Sequence, residues 1–134
     1  MIGLGLIMPG MVDPVNGIVI LSVDQSWENI PLTEIVEEVT GISTTLETEG
    51  NMLALGEFLY GIGRKTNDFV LLDIEDDGIG SALILDGKIQ RGSNNMSGEI
   101  GHTFFDANGP KCSCGRKGCL EASLKTVLKK KNKN

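Results

Sequence analysis

The segment "HTFFDANGPKCSCGRKGCLE", residues 102–121, constrains this chain more than any other stretch. It holds the single histidine and all three cysteines of a 134-residue sequence. His102 stands ten residues before Cys112, one residue separates Cys112 from Cys114, and Cys119 follows five positions later. One imidazole and three thiolates can close a tetrahedral zinc site of the structural kind. Gly109, Pro110, Gly115 and Gly118 supply the tight turns that bring thiolates together, and Lys111, Arg116 and Lys117 favour the thiolate form. The alternative is a disulfide between two of the cysteines, with the third left free. No stretch approaches the roughly 18 apolar residues of a membrane span. The apolar start "MIGLGLIMPGMVD" lacks the basic segment of a secretion signal. A cytoplasmic chain is therefore expected. In that compartment thiols stay reduced, and clustered cysteines read as metal ligands before disulfides.

The rest of the pattern predicts an α/β chain. Strands are expected over 2–8, 17–23, 69–74 and 80–89, with a short β-rich run over 42–47. Asp86-Gly87 is a strong hairpin signal. A helix is expected from Pro31, with Leu32, Ile35, Val36 and Val39 on one face and Gly41 as its stop. A second is expected over 51–63, with Met52, Leu55, Leu59 and Ile62 near one face. "SWENIPL" reads as a loop, and a short helix follows Cys119. Interleaved strands and helices define the class. The formal net charge of −6 argues against a grip on nucleic acid by this segment, because phosphate binding needs a basic surface. The basic end "LKKKNKN", residues 128–134, is expected to be a frayed, disordered tail. The chain opens inside an expected strand, which points to a piece of a larger protein.

A zinc ion held by His102 and the three cysteines would tie the "GEIGH" loop to the cysteine hairpin. It would also bring Glu99 and Glu121 near one imidazole. Carboxylates that accept paired hydroxyl hydrogen bonds are the usual groups for holding a sugar. Taken singly, each glutamate is as well explained as a solvated or helix-capping residue.

"GEIGH" followed by "CSCGRKGCLE" resembles the zinc signature of the ROK family, which groups sugar-responsive repressors and sugar kinases. "GLGLIMPGMVD", "LETEGNMLALGE" and "DDGIGSALILDGKIQRGSNNMSGEIGH" resemble further segments of that family. The resemblance covers nearly the whole chain. It implies that residues 1–134 are the central part of a ROK domain, a fragment of an actin-like (ribonuclease-H-like) fold truncated at both ends. Residues 93–121 would form its zinc-containing, sugar-binding segment.

The resemblance also implies residue roles. His102, Cys112, Cys114 and Cys119 would bind zinc. Gly10, Thr48, Glu49, Glu99, His102 and Glu121 would meet a monosaccharide, with His102 serving both metal and sugar. Gly78 and Gly80 fall in what the family uses as a phosphate-binding loop. In the kinases an Asn-Asp pair supplies a hydroxyl contact and the general base; here those positions are Thr48 and Glu49. Glu for Asp is familiar from the repressor branch, of the xylose-repressor kind, whereas Thr48 departs from both patterns. The expectation is a sugar-sensing, non-catalytic part of a repressor. It would be a homodimer that reaches DNA through an N-terminal helix-turn-helix not contained in this chain, with no membrane partner. The rival is an ATP-dependent sugar kinase, with Glu49 as base and ATP with Mg²⁺ as cofactors. A third reading is a truncated product that folds around zinc without further activity.

Overall fold

The strand expected over 69–74 forms β6 (Phe69–Ile74) and pairs antiparallel with β7 (Ile79–Leu85), Phe69 opposite Ile84 and Ile74 opposite Ile79. Asp86 and Gly87, with φ of 51° and 70°, make the two-residue turn into β8 (Lys88–Ile89). Positive φ at both positions is what a hairpin turn matched to the strand twist requires. These assignments come from a computed structural model, which describes residues 2–23, 25–75 and 78–131. Alternation puts Phe69 and Leu71 of β6 with Ala82 and Ile84 of β7 on one face, against α2 (Glu49–Tyr60). Val70, Leu72 and Ile74 fall on the opposite, exposed face.

Two further sheets precede this one. β1 (Leu4–Met8) runs parallel to β5 (Thr44–Thr48), with Leu4 opposite Thr44 and Met8 opposite Thr48. β2 (Met11–Asp13), β3 (Ile18–Ser22) and β4 (Trp27–Ile30) form an antiparallel meander. Val12, Val19 and Leu46 are buried where these sheets meet, with Trp27, Ile30 and Leu32 packed around them. The expected loop "SWENIPL" is thus corrected in part: residues 27–30 are a strand. Glu28 and Asn29 break the apolar alternation, but Trp27 and Ile30 both reach the core, and β3 supplies the ladder.

Between β2 and β3 the Asp13 carboxylate closes a turn. It accepts from the Asn16 side-chain amide at 2.7 Å and from the Val15 N–H at 3.0 Å. The Asn16 hydrogen bonds hold its pKa below the ordinary aspartate value of 3.8. This contribution is therefore present above the unfolded-state pKa and lost as pH falls through the lowered folded value. An NMR titration is expected to place the Asp13 carboxyl midpoint below that of a model peptide. A midpoint at or above the peptide value would contradict it.

α1 (Leu32–Thr40) ends as expected at Gly41, whose φ of 68° turns its N–H back to the Glu37 carbonyl. Its predicted face is only partly covered: Leu32 and Val36 are half-buried, whereas Ile35 and Val39 are exposed. α2 begins two residues earlier than expected and buries a different face, Asn51 and Ala54 with Phe58 half-buried. Leu59 and Ile62 are exposed. The apolar residues surround this helix nearly all round, so periodicity could not choose the face. Close approach to β7 chose it, since a Cβ on Gly50 would lie 3.1 Å from the Ser81 carbonyl. α3 (Leu120–Lys131) corrects the expected tail: residues 128–131 are helical, and the remainder lies outside the described residues. Lys129, Lys130 and Lys131 in the last turn face the negative end of the helix dipole, which favours them there. Among the described residues, no helix is long and apolar enough to cross a membrane.

Candidate functional site

The cysteine hairpin is built from backbone bonds at its turns. The Cys112 N–H donates to the Arg116 carbonyl at 2.8 Å, and the Gly115 N–H returns to Cys112 at 3.0 Å. Gly115 and Gly118 adopt φ of 87° and 77°. A Cβ on Gly118 would fall 1.9 Å from the Asp106 carbonyl, so only glycine fits. The Leu120 N–H donates to Thr103, and Phe104 bridges to Cys119, which lays the hairpin against the turn Ile100–His102.

This arrangement gathers one ligand atom each from His102, Cys112, Cys114 and Cys119 within 4.8 Å of one another. His102 Nδ1 lies 3.5 Å from Cys112 Sγ, and Cys114 Sγ lies 3.7 Å from Cys119 Sγ. Donors bonded at the usual zinc distances around a tetrahedron lie about 3.5–3.8 Å apart. A disulfide would need about 2.05 Å, and all three cysteines are free thiols. The donor set and its spacing therefore fit a metal ion. Arg116 holds the Cys114 thiol down to about 6 through hydrogen bonds from its backbone and then its side chain. Burial pushes the Cys119 thiol up to about 11. The exposed thiolate is thus available first, and the buried one must release a proton when a metal arrives.

Beside the hairpin opens a cleft of about 370 Å³. Gly10, Thr48, Glu49, Gly78, Gly80, Glu99, His102 and Glu121 all line it. The cavity is thus lined by each residue expected to meet sugar or phosphate, whereas of the four expected metal ligands only His102 borders it. Gly10 has a structural requirement of its own: its φ is 100°, and a Cβ would meet the Leu21 carbonyl at 2.3 Å. Thr48 caps α2, its hydroxyl accepting from the Asn51 N–H at 3.4 Å, and Glu49 starts that helix with an exposed side chain. Glu99 is exposed on the loop held by Ser81, whose hydroxyl donates to the Gly98 carbonyl and accepts from the Ile100 N–H.

Glu121 is anchored most firmly. It is buried at the start of α3 and accepts from the Ile79 N–H at 3.1 Å through Oε2. Its Oε1 faces Lys125 Nζ and the Ser113 hydroxyl, each at 3.5 Å. The carboxylate joins the metal hairpin to the start of β7, on the glycine pair Gly78 and Gly80. Asp73, Asn95 and Ser97 also line the cleft, and sequence reasoning passed over them. Asp73 had a signal, a lone acid in the apolar run "FVLLDI". Among the described residues five carboxylates border the cavity, those of Glu49, Asp73, Glu75, Glu99 and Glu121, and no lysine or arginine does.

Comparison with known proteins gives the setting. The pattern of the ROK family matches residues 1–128. The xylose repressor of Bacillus spizizenii is 37% identical over 131 residues, covering 96% of this chain and 34% of that protein. The glucokinase of Thermotoga maritima is 39% identical over 119 residues, covering 88% of this chain and 37% of that protein. The crystal structure of a ROK family transcriptional regulator, a homologue of the E. coli Mlc protein, superposes with a TM-score of 0.84 at 28% identity. It covers 98% of this chain and 34% of that one. The chain thus spans about a third of the length of the curated relatives it matches. The α/β architecture is the actin-like fold shared by these regulators and kinases.

Proposed function

Because this chain belongs to the ROK family, we propose that it is the sugar-sensing part of a transcriptional regulator, binding a monosaccharide beside a structural zinc. The observation that carries this reading is the Ile79 amide, between Gly78 and Gly80. A phosphate loop works by offering free backbone N–H groups in a positive field. Here the Ile79 N–H is already bound by the Glu121 carboxylate, and Asp73 and Glu75 stand on the same rim. Such a rim offers a triphosphate no positive field of its own. An uncharged polyol suits it, because carboxylates accept hydroxyl protons without opposing charge.

His102, Cys112, Cys114 and Cys119 would hold the zinc, which supplies a crosslink and no open position for chemistry. Glu99, Glu121 and Glu49 accept sugar hydroxyls, Thr48 and the Gly10 backbone border the ligand, and His102 serves zinc with one ring nitrogen and sugar with the other. A bound sugar then favours one arrangement of the protein. Moving such an equilibrium from 1:99 to 99:1 takes about a 10⁴-fold difference in affinity between the two states. DNA would be contacted through a helix-turn-helix outside these residues, in a homodimer.

The glucokinase relative and the carboxylate kept at Glu49 favour a second reading, an ATP-dependent sugar kinase with Glu49 as general base. Glu49 carries one methylene more than the aspartate of the kinases, and a misplacement of about 1 Å can cost on the order of a hundredfold in rate. ATP turnover by the full-length protein over a panel of sugars, compared with Glu49→Gln, separates the two. No sugar-dependent turnover is expected. Turnover that the substitution abolishes would make the protein a kinase.

A further inference from the structure

Glu47 and Arg91 form an ion pair across 44 residues of sequence, and neither was needed to build the site. Glu47 is 8% exposed near the end of β5. Its two oxygens face different ways. Oε1 accepts from the Thr48 N–H at 3.0 Å and from the Asn51 side-chain amide at 2.9 Å, so it organises the first turn of α2. Oε2 accepts from Arg91 Nε at 3.0 Å and from Nη2 of the same fork. Arg91 opens the loop that leads to Glu99. Its carbonyl accepts from the Ser97 N–H at 3.1 Å, and Ser81 holds the next residues, Gly98 and Ile100.

One carboxylate therefore links Thr48, the neighbour of Glu49, through Arg91 to Ser97 in the loop that carries Glu99. We infer that the Glu47–Arg91 pair is a positioning strut that sets the separation of the sugar-accepting carboxylates Glu49 and Glu99 without touching the ligand. The inference rests on the sugar-binding reading above. The forked guanidinium matters, because Nε and Nη2 both reach the same oxygen Oε2, and two donors fixed in one plane set orientation as well as distance, which a lysine ammonium does not. The two partners are unequally placed, with 11% of the Glu47 side chain exposed against 37% for Arg91. Removing Arg91 leaves a buried carboxylate with its Thr48 and Asn51 donors but without a countercharge, whereas removing the Glu47 charge lets Arg91 turn to solvent.

The asymmetry gives the test. Full-length wild type, R91K, R91M, E47Q and E47Q/R91M are compared for zinc content, melting temperature and calorimetric affinity for the sugar bound best by wild type. R91M should melt lowest, and the double variant should recover melting temperature because no buried charge is stranded. Sugar affinity should stay about tenfold or more below wild type in R91K, R91M and the double variant, the size expected when one hydrogen bond to a charged group is lost. Zinc content should not change. Affinity that recovers together with melting temperature in the double variant, or that R91K leaves at the wild-type value, would make the pair a stabilising contact only and overturn the inference. If wild type takes no sugar at all, the functional reading fails and the strut falls with it.

Discussion

A Cys119→Ser protein is expected to take up no zinc and to lose the packing of α3 against the turn Ile100–His102. Cys119 is 1% exposed and, with Cys112 and Ala122, makes up the small core beneath the hairpin. That core holds no large side chain, so burial alone stabilises it little. The metal supplies what packing does not. Structural zinc contributes about 10–16 kcal/mol of apparent binding free energy in small zinc-dependent folds. Losing one of four ligands removes most of that, and serine adds a buried hydroxyl costing about 1–3 kcal/mol if it finds no partner. Metal analysis should give one zinc per chain for wild type and almost none for the variant. Chelation of wild type should lower the melting temperature as the substitution does. Zinc-free wild type that melts at the same temperature as the holo protein would contradict this account.

The second large effect falls on ligand binding. Glu99→Gln keeps the shape of an exposed side chain in the cleft and removes one charged acceptor. Hydrogen bonds to charged groups contribute about 1.5–3 kcal/mol, so sugar affinity should fall on the order of ten- to a hundredfold. Zinc content and melting temperature should stay at wild-type values. Glu121→Gln provides the contrast: its carboxylate also holds the Ile79 N–H and faces Lys125, so stability should drop along with affinity. Calorimetry and thermal melts on both variants check this. Equal affinities for wild type and Glu99→Gln would remove Glu99 from the site.

The features legible in the sequence are those that local chemistry decides. β6 begins and ends where the apolar run "FVLLDI" does. The turn at Asp86-Gly87 and the stop at Gly41 follow from glycine's freedom at positive φ, as observed at both glycines. The four donors of the metal group were readable because histidine and cysteine occur nowhere else in the chain. What stayed hidden depends on partners distant in sequence. β4 is a strand because β3 pairs with it, although Glu28 and Asn29 disguise its pattern. The buried face of α2 is set by the approach of Gly50 to Ser81 rather than by the largest apolar residues. Glu47 looks like an ordinary strand residue until Arg91 is brought to it. Glu121 gave no sign in sequence that it would occupy the amide of Ile79, the contact that weighs most against a phosphate in this cleft.

The most direct test of the central claim is a calorimetric titration of the full-length zinc-bound protein with neutral pentoses and hexoses, with and without ATP. The account predicts one saturable sugar site per chain, with an affinity that ATP leaves unchanged and that Glu99→Gln weakens. A protein that binds no sugar in the panel, or binds one and consumes ATP in doing so, would contradict it.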